Sequence, residues 1–147
     1  MAKQKQFTQT RSRQRDDVRG TDLRDSEMMA RLLDALQAGT DIGHYGRLTF
    51  VMVARHFLNE EEIVKLLSRQ PGADEESARA FFLQVSGRDY NPPKRERILE
   101  WQAQQDFQIC PNPDDPNSCN VYRDLQFPQE IYDRIGDYWE EKAESQQ

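Results

Sequence analysis

Apolar positions along this chain return every three or four residues, in short groups separated by turn formers. After Asp25 and Ser26, either of which can cap a helix, Met29, Leu32, Leu33 and Leu36 share one helical face, and Gly39 marks its end. A second helix is predicted over residues 44–57. Leu48, Val51, Met52 and Arg55 lie there on adjoining faces, and the segment is apolar nearly all round, which makes it the central buried helix. Asn59 ahead of Glu60, Glu61 and Glu62 is a cap followed by acids at the positive end of a helix dipole, so a third, short helix opens with Ile63, Leu66 and Leu67 inward. Pro71-Gly72 stops it. Asp74 caps a fourth, in which Ala78, Phe81, Phe82 and Val85 face the core and Gly87 closes the helix.

The doublet Pro92-Pro93 forces an extended segment before a fifth helix over residues 94–105, with Ile98 and Trp101 on its inner side. Between Asp106 and Phe127 the run CPNPDDPNSC packs turn formers so densely that no regular structure is expected there. Pro128 restarts a helix with Ile131, Ile135 and Tyr138 or Trp139 on one side, and EEKAESQQ frays into solvent. With no internal repeat and little alternation of period two, the fold class is all-α: a compact bundle of five to six short helices with a long, irregular, Pro-rich loop. The organisation expected is a disordered basic arm at 1–22, one helical domain at 23–140 and a frayed tail at 141–147.

At 147 residues the chain suits one domain with a real core. It contains no apolar run of the roughly 20 residues a membrane span needs. The start, MAKQKQFTQTRSRQRDD, has no apolar stretch of the secretory kind, so a cytoplasmic location is expected. Two cysteines, Cys110 and Cys119, are too few for a disulfide scaffold, and a reducing compartment would keep them as thiols. The net charge of -6 hides an asymmetry. Residues 1–19 carry six cations and two acids, or +4, while the other 14 cations and 24 acids give -10. A body so acidic will not coat itself with polyanion, so any nucleic-acid contact must be a local patch or the arm. The arm reads equally as a solubilising tail.

Glycine-rich phosphate loops, HExxH, nucleophile elbows and CxxC pairs are absent, and the acids fall mostly on predicted solvent faces, so the chain is not expected to be an enzyme. Three constellations remain. In Gly43-His44-Tyr45-Gly46-Arg47, two glycines and a helix start could seat an anion, with His44 and Arg47 three residues apart; a cap and a surface charge is the plain alternative. In Tyr90-Asn91-Pro92-Pro93-Lys94-Arg95-Glu96-Arg97, the cations Lys94, Arg95 and Arg97 follow an aromatic that could stack on a base; the alternative is a solvated helix start. Cys110 and Cys119 are half of a tetrahedral zinc site that only His44 and His56 could complete.

Taken in order, ARLLDAL, GHYGRLTFVMVARHFL, NEEEIVKLL, ESARAFFLQV, YNPPKRERI, ICP and SCNVYRDL, spread over about 110 of the 147 residues from Met28 to Ile135, resemble the C-terminal iron–sulfur domain of the archaeal and eukaryotic DNA primase large subunit. The resemblance implies a non-catalytic domain that holds the template and the 5′-triphosphate end of a primer, with His44 and Arg47 matching the family's nucleic-acid contacts. Lys94 and Arg95 match a ligand region of the family and not a contact. Met28 stands at the first cluster cysteine and Lys94 or Arg95 at the second, and only Cys110 and Cys119 match the third and fourth. A four-iron cluster needs four ligands, so it is expected to be lost, leaving no cofactor and two cysteines as loop remnants that do not staple the fold. The implied partners are DNA or RNA primer and template and a primase or replication-complex subunit, with no membrane. The alternative is a cluster-less structural adaptor that binds a protein through the Pro-rich loop and the C-terminal helix.

Overall fold

The computed structural model describes residues 22–136. The basic arm, Tyr138, Trp139 and the tail therefore lie outside the described residues, apart from Asp22, whose side chain caps a short 3-10 turn at Leu23–Asp25. Within them every regular element is helical: α1 (Glu27–Ala38), α2 (Gly43–Ala54), α3 (Glu60–Leu67), α4 (Glu75–Gly87), α5 (Arg95–Gln102) and α6 (Val121–Asp124), followed by a helical segment at residues 129–136. No helix among these residues is long and apolar enough to cross a membrane.

Capping decides where most of these helices begin. The Ser26 hydroxyl accepts from the Met29 amide at 3.2 Å, and Gly39, at φ 75°, ends α1 in the left-handed conformation that glycine tolerates best. Asn59 and Glu62 form a reciprocal capping box on α3, and Asp74 and Ser77 do the same on α4. Arg79 joins these two helix starts by bonding Glu60, Glu61 and Glu75.

The core is arranged around α2, whose Phe50, Val51, Val53 and Ala54 are wholly buried. α1 contributes Met28, Met29, Leu32 and Leu36, α3 contributes Ile63, Val64 and Leu67, and α4 contributes Ala78, Phe82 and Val85. α2 borders α1, α3, α4 and α5, which makes it the central helix expected from its all-round apolar pattern. Ile98 of α5 and Ile131 join the same core, and the long loop adds Ile109, Val121, Leu125 and Phe127. Each such side chain stabilises the fold by roughly 1.5–3 kcal/mol on burial.

Several boundaries differ from expectation. α2 stops at Ala54 because the chain tightens into three-residue turns, with the His56 amide donating to Val53 and the Phe57 amide to Ala54. α5 stops at Gln102, where the Gln102 and Gln105 side chains are drawn away to cap other backbone groups. Gly87 is the last helical residue of α4, but the reversal falls on Asp89, at φ 52°. The segment 106–127 is not wholly irregular: Asn120 caps the Arg123 amide and opens α6.

The largest correction concerns the two cysteines. Cys110 and Cys119 are joined as a disulfide, with Cα atoms 5.8 Å apart and both residues buried, so they are not free thiols. Turns from Asn112 to Asp115 and from Asp115 to Ser118 double the chain back, the Ser118 hydroxyl donating within the loop, and this brings the two residues together.

Candidate nucleic-acid interface

The Gly43–Arg47 segment forms the first turn of α2, where Ile42 offers no side-chain cap. Other side chains supply it. Asp41 Oδ1 accepts from the Gly43 amide at 2.9 Å, and Gln105 Oε1 accepts from the Tyr45 amide at 2.9 Å. Gln105 Nε2 also donates to the carbonyls of Ile42 and Phe107. Gly43 is required here on two counts: its φ is 75°, and a Cβ would stand 2.4 Å from Gln105 Oε1. Arg47 turns back onto Asp41 Oδ1 at 3.4 Å and Gln70 Oε1 at 3.3 Å. Gln70 in turn accepts from the Ile42 amide and donates to Thr40 O. His44 is exposed and lies edge-on to Tyr45 and Phe81, and Tyr45 stacks on Trp101. The Gly43 and Tyr45 amides of this helix start are thus engaged by Asp41 and Gln105, and an anion seated here would meet the Asp41 carboxylate.

The second constellation is divided by the fold. Arg95 Nη2 donates to Pro113 O at 2.6 Å, anchoring the Pro-rich loop on α5, and its Nε is buried with no partner among the described residues. Arg97 is exposed and pairs with Glu100 one turn on, at 3.3 Å. Lys94 is the N-cap residue of α5. The Pro92 carbonyl, between these cations and Tyr90, accepts from the Tyr122 hydroxyl.

Tyr90 keeps different company. The residue is 43% exposed, and Arg55 and Arg134 reach residues 89–91 beside Arg88, all three absent from the sequence-derived site. Arg88 Nη1 donates to Tyr90 Oη at 3.4 Å, and Arg55 Nη2 donates to Asp89 Oδ1 at 2.6 Å and Tyr90 O at 3.1 Å. Arg134 reaches Asp89 Oδ2 at 3.1 Å and Asn91 Oδ1 at 3.1 Å, with Glu130 at 3.8 Å. Three guanidinium groups against Asp89 and Glu130 leave this patch positive on an otherwise acidic body. Arg55 and Arg88 are the C-cap residues of α2 and α4, where cations are favoured by the helix dipole. That local signal was present in the sequence, whereas Arg134, 45 residues from Asp89, had none.

His56 borders the patch. Burial first, then the neighbouring Arg55, lowers its pKa from 6.5 to about 4, and Arg134 adds to the effect while Asp89 opposes it. Its Nε2 is buried without a partner among the described residues, and the ring meets the Phe127 ring edge-on. An unfolded chain takes up this proton near pH 6.5 and the folded chain only near pH 4, so stability should decline as pH falls through that window. The carboxylates held below their ordinary values, Glu61, Asp74 and Asp89, act lower, below 4.5 or 3.8. Denaturant titrations of the parent between pH 7 and 5 should therefore slope downward towards acid, and His56→Phe should flatten the slope. An unchanged slope in the variant would assign it elsewhere.

The donor set does not fit a four-iron cluster. Met28 is fully buried in the core, Arg95 holds Pro113, and the two cysteines are bonded to each other. Among the described residues no three His, Cys, Asp or Glu side chains group to hold a metal ion. No family model, no curated protein and no solved structure matches this chain.

Proposed function

We propose that this chain is a non-catalytic nucleic-acid-binding accessory subunit that acts on single-stranded template or primer in DNA replication or primer synthesis. The observation that carries the reading is the exposed Tyr90, with Arg88 on its hydroxyl, Arg55 on its backbone carbonyl and Arg134 on the neighbouring Asn91. A flat ring offers any base a stacking partner, and Arg88, bonded to the Tyr90 hydroxyl while Arg55 and Arg134 are paired with Asp89, neutralises an adjoining phosphate. The ordered motifs that resemble the primase large-subunit domain support the same class of ligand. Holding a 5′-triphosphate at His44 and Arg47, as that resemblance implies, requires Arg47 to exchange Asp41 and Gln70 for the phosphate. Tyr90 and Arg88 are therefore the principal contacts, and His44 with Arg47 is an end-binding site that must first open.

Fluorescence anisotropy with a labelled single-stranded oligonucleotide tests this. Tyr90→Ala should weaken binding by about 1–3 kcal/mol, the usual value of one base–aromatic stack. Arg88→Ala should also flatten the dependence of log K on log salt by about 0.7, the loss of one phosphate contact. Arg97→Ala, whose partner is Glu100, should bind as the parent does. Tyr90→Ala binding with parental affinity would remove the proposed contact. A 5′-triphosphate preference abolished by Arg47→Ala would restore the end-binding site as the main one.

A second reading, an adaptor for a protein partner, is favoured by the Pro-rich loop. The disulfide and the Arg95–Pro113 bond pin it, while Asn112, Asp114, Asp115, Pro116 and Asn117 stay exposed. A loop held in one shape loses little entropy on binding.

A further inference from the structure

Leu83 is 53% exposed, and nothing in the proposed nucleic-acid site uses it. It belongs to α4, whose Ala78, Phe82 and Val85 face the core. On the opposite side Glu76, Ala80, Leu83 and Gly87 recur at helical spacing and are all exposed. A shallow, open groove runs along this side, lined by Glu75, Glu76, Arg79, Ala80 and Leu83. Its rim is acidic. Arg79 is already shared among Glu60, Glu61 and Glu75, and Glu76 lines the same groove, so this side carries four carboxylates to one guanidinium.

The chain itself carries a complementary segment. Residues 1–19 bear +4, and within them Phe7 is flanked by Lys3, Lys5 and Arg11. Charge alone would hold such a segment anywhere on the acidic body and be screened within about 10 Å at 0.1 M salt. An aromatic among the cations and an apolar floor between the carboxylates give the contact a place and a register. Reach does not limit it. The 15 residues from Phe7 to Asp22 span about 50 Å when extended. Asp22 leads into the turn packed on α1, α1 borders α3, and α3 packs on α4. At helix spacings of 8–10 Å, the outer side of α4 is roughly 30 Å from that point.

We propose that the N-terminal arm of this chain docks on the outer face of α4, with Phe7 seated on Ala80 and Leu83 and with Lys3, Lys5 and Arg11 against Glu75, Glu76 and Glu61. The arm so placed covers the exposed leucine and occupies the surface that a basic partner would otherwise take. This contact is independent of the Tyr90 site and stands or falls without it.

Carbodiimide cross-linking of the full chain at low micromolar concentration, mapped by mass spectrometry, reads the contact directly, because the reagent joins an amine to a carboxylate only where the two touch. Lys3 and Lys5 should link to Glu75 and Glu76 within one molecule. The yield should fall about ten-fold in Phe7→Ser and in 0.5 M salt, while the helix content measured by circular dichroism stays unchanged. In methyl-labelled protein the Leu83 methyls should show nuclear Overhauser effects to the Phe7 ring. Links scattered over all exposed carboxylates, or a yield indifferent to Phe7→Ser, would overturn the proposal. So would links found only between isotopically distinct copies, which would make a second molecule the occupant.

Discussion

Cys110→Ala combined with Cys119→Ala is expected to destabilise the folded chain by about 2–3 kcal/mol, the chain-entropy value for opening a loop of roughly ten residues. In a domain of this size the loss corresponds to a fall in Tm on the order of 10 °C. The effect should spread beyond the loop. Three bonds fasten it to two helices: Cys110 N donates to Gln102 Oε1 and Pro113 O accepts from Arg95, both on α5, and Asn112 Nδ2 donates to Glu27 on α1. Ile109 and Val121, just outside the cross-link, are fully buried. Reading the cysteines as loop remnants leads to the opposite result, a double variant as stable as the parent, so thermal melts decide between the two. A thiol assay on denatured, unreduced protein provides the companion measurement: the disulfide predicts no reactive thiol, and two per chain would refute it.

Gly43→Ala should be comparably damaging, by about 2–4 kcal/mol. Holding alanine in the left-handed region costs about 1–2 kcal/mol. The new methyl would also lie 2.4–2.8 Å from the terminal atoms of Gln105. Gln105 cannot swing aside freely, since it bonds the Tyr45 amide and the carbonyls of Ile42 and Phe107, each bond worth about 0.5–1.5 kcal/mol. Gly87 provides the contrast. It is helical, and a Cβ there meets open space, so Gly87→Ala should raise stability by about 0.5–1 kcal/mol. Equilibrium denaturation of both variants checks the pair, and a Gly43→Ala protein as stable as the parent would show that Gln105 does not close the start of α2.

The apolar spacing and the caps at Ser26, Asn59 and Asp74 placed the starts of α1, α3 and α4 to the residue, while α3 ends at Leu67, ahead of the Pro71-Gly72 stop, and the apolar run of α2 identified the central helix. These features are local: a capping side chain and the amide it serves are three residues apart, and helical period is visible within one window. Helix ends were less legible. The end of α5 depends on where Gln102 and Gln105 find partners 8 to 63 residues away, and α2 ends where the backbone tightens into three-residue turns. The candidate site depended still more on tertiary structure. From the sequence, the fragment from Tyr90 to Arg97 is one basic cluster. In the fold Tyr90 gathers Arg88, Arg55 and Arg134 while Arg95 turns to the Pro-rich loop, because a guanidinium goes to whichever carboxylate or carbonyl the packing brings within reach.

The sequence by itself determined the helical class, the order of α1 to α5 and the side each presents to the core, since periodicity and caps act over a few residues. Tertiary structure alone decided which polar groups meet. It filled the start of α2 with Asp41 and Gln105, and it joined two cysteines in the loop that were expected to stay thiols. Neither outcome follows from spacing, because each requires turns and packing to bring together groups whose separation in space the chain pattern does not encode.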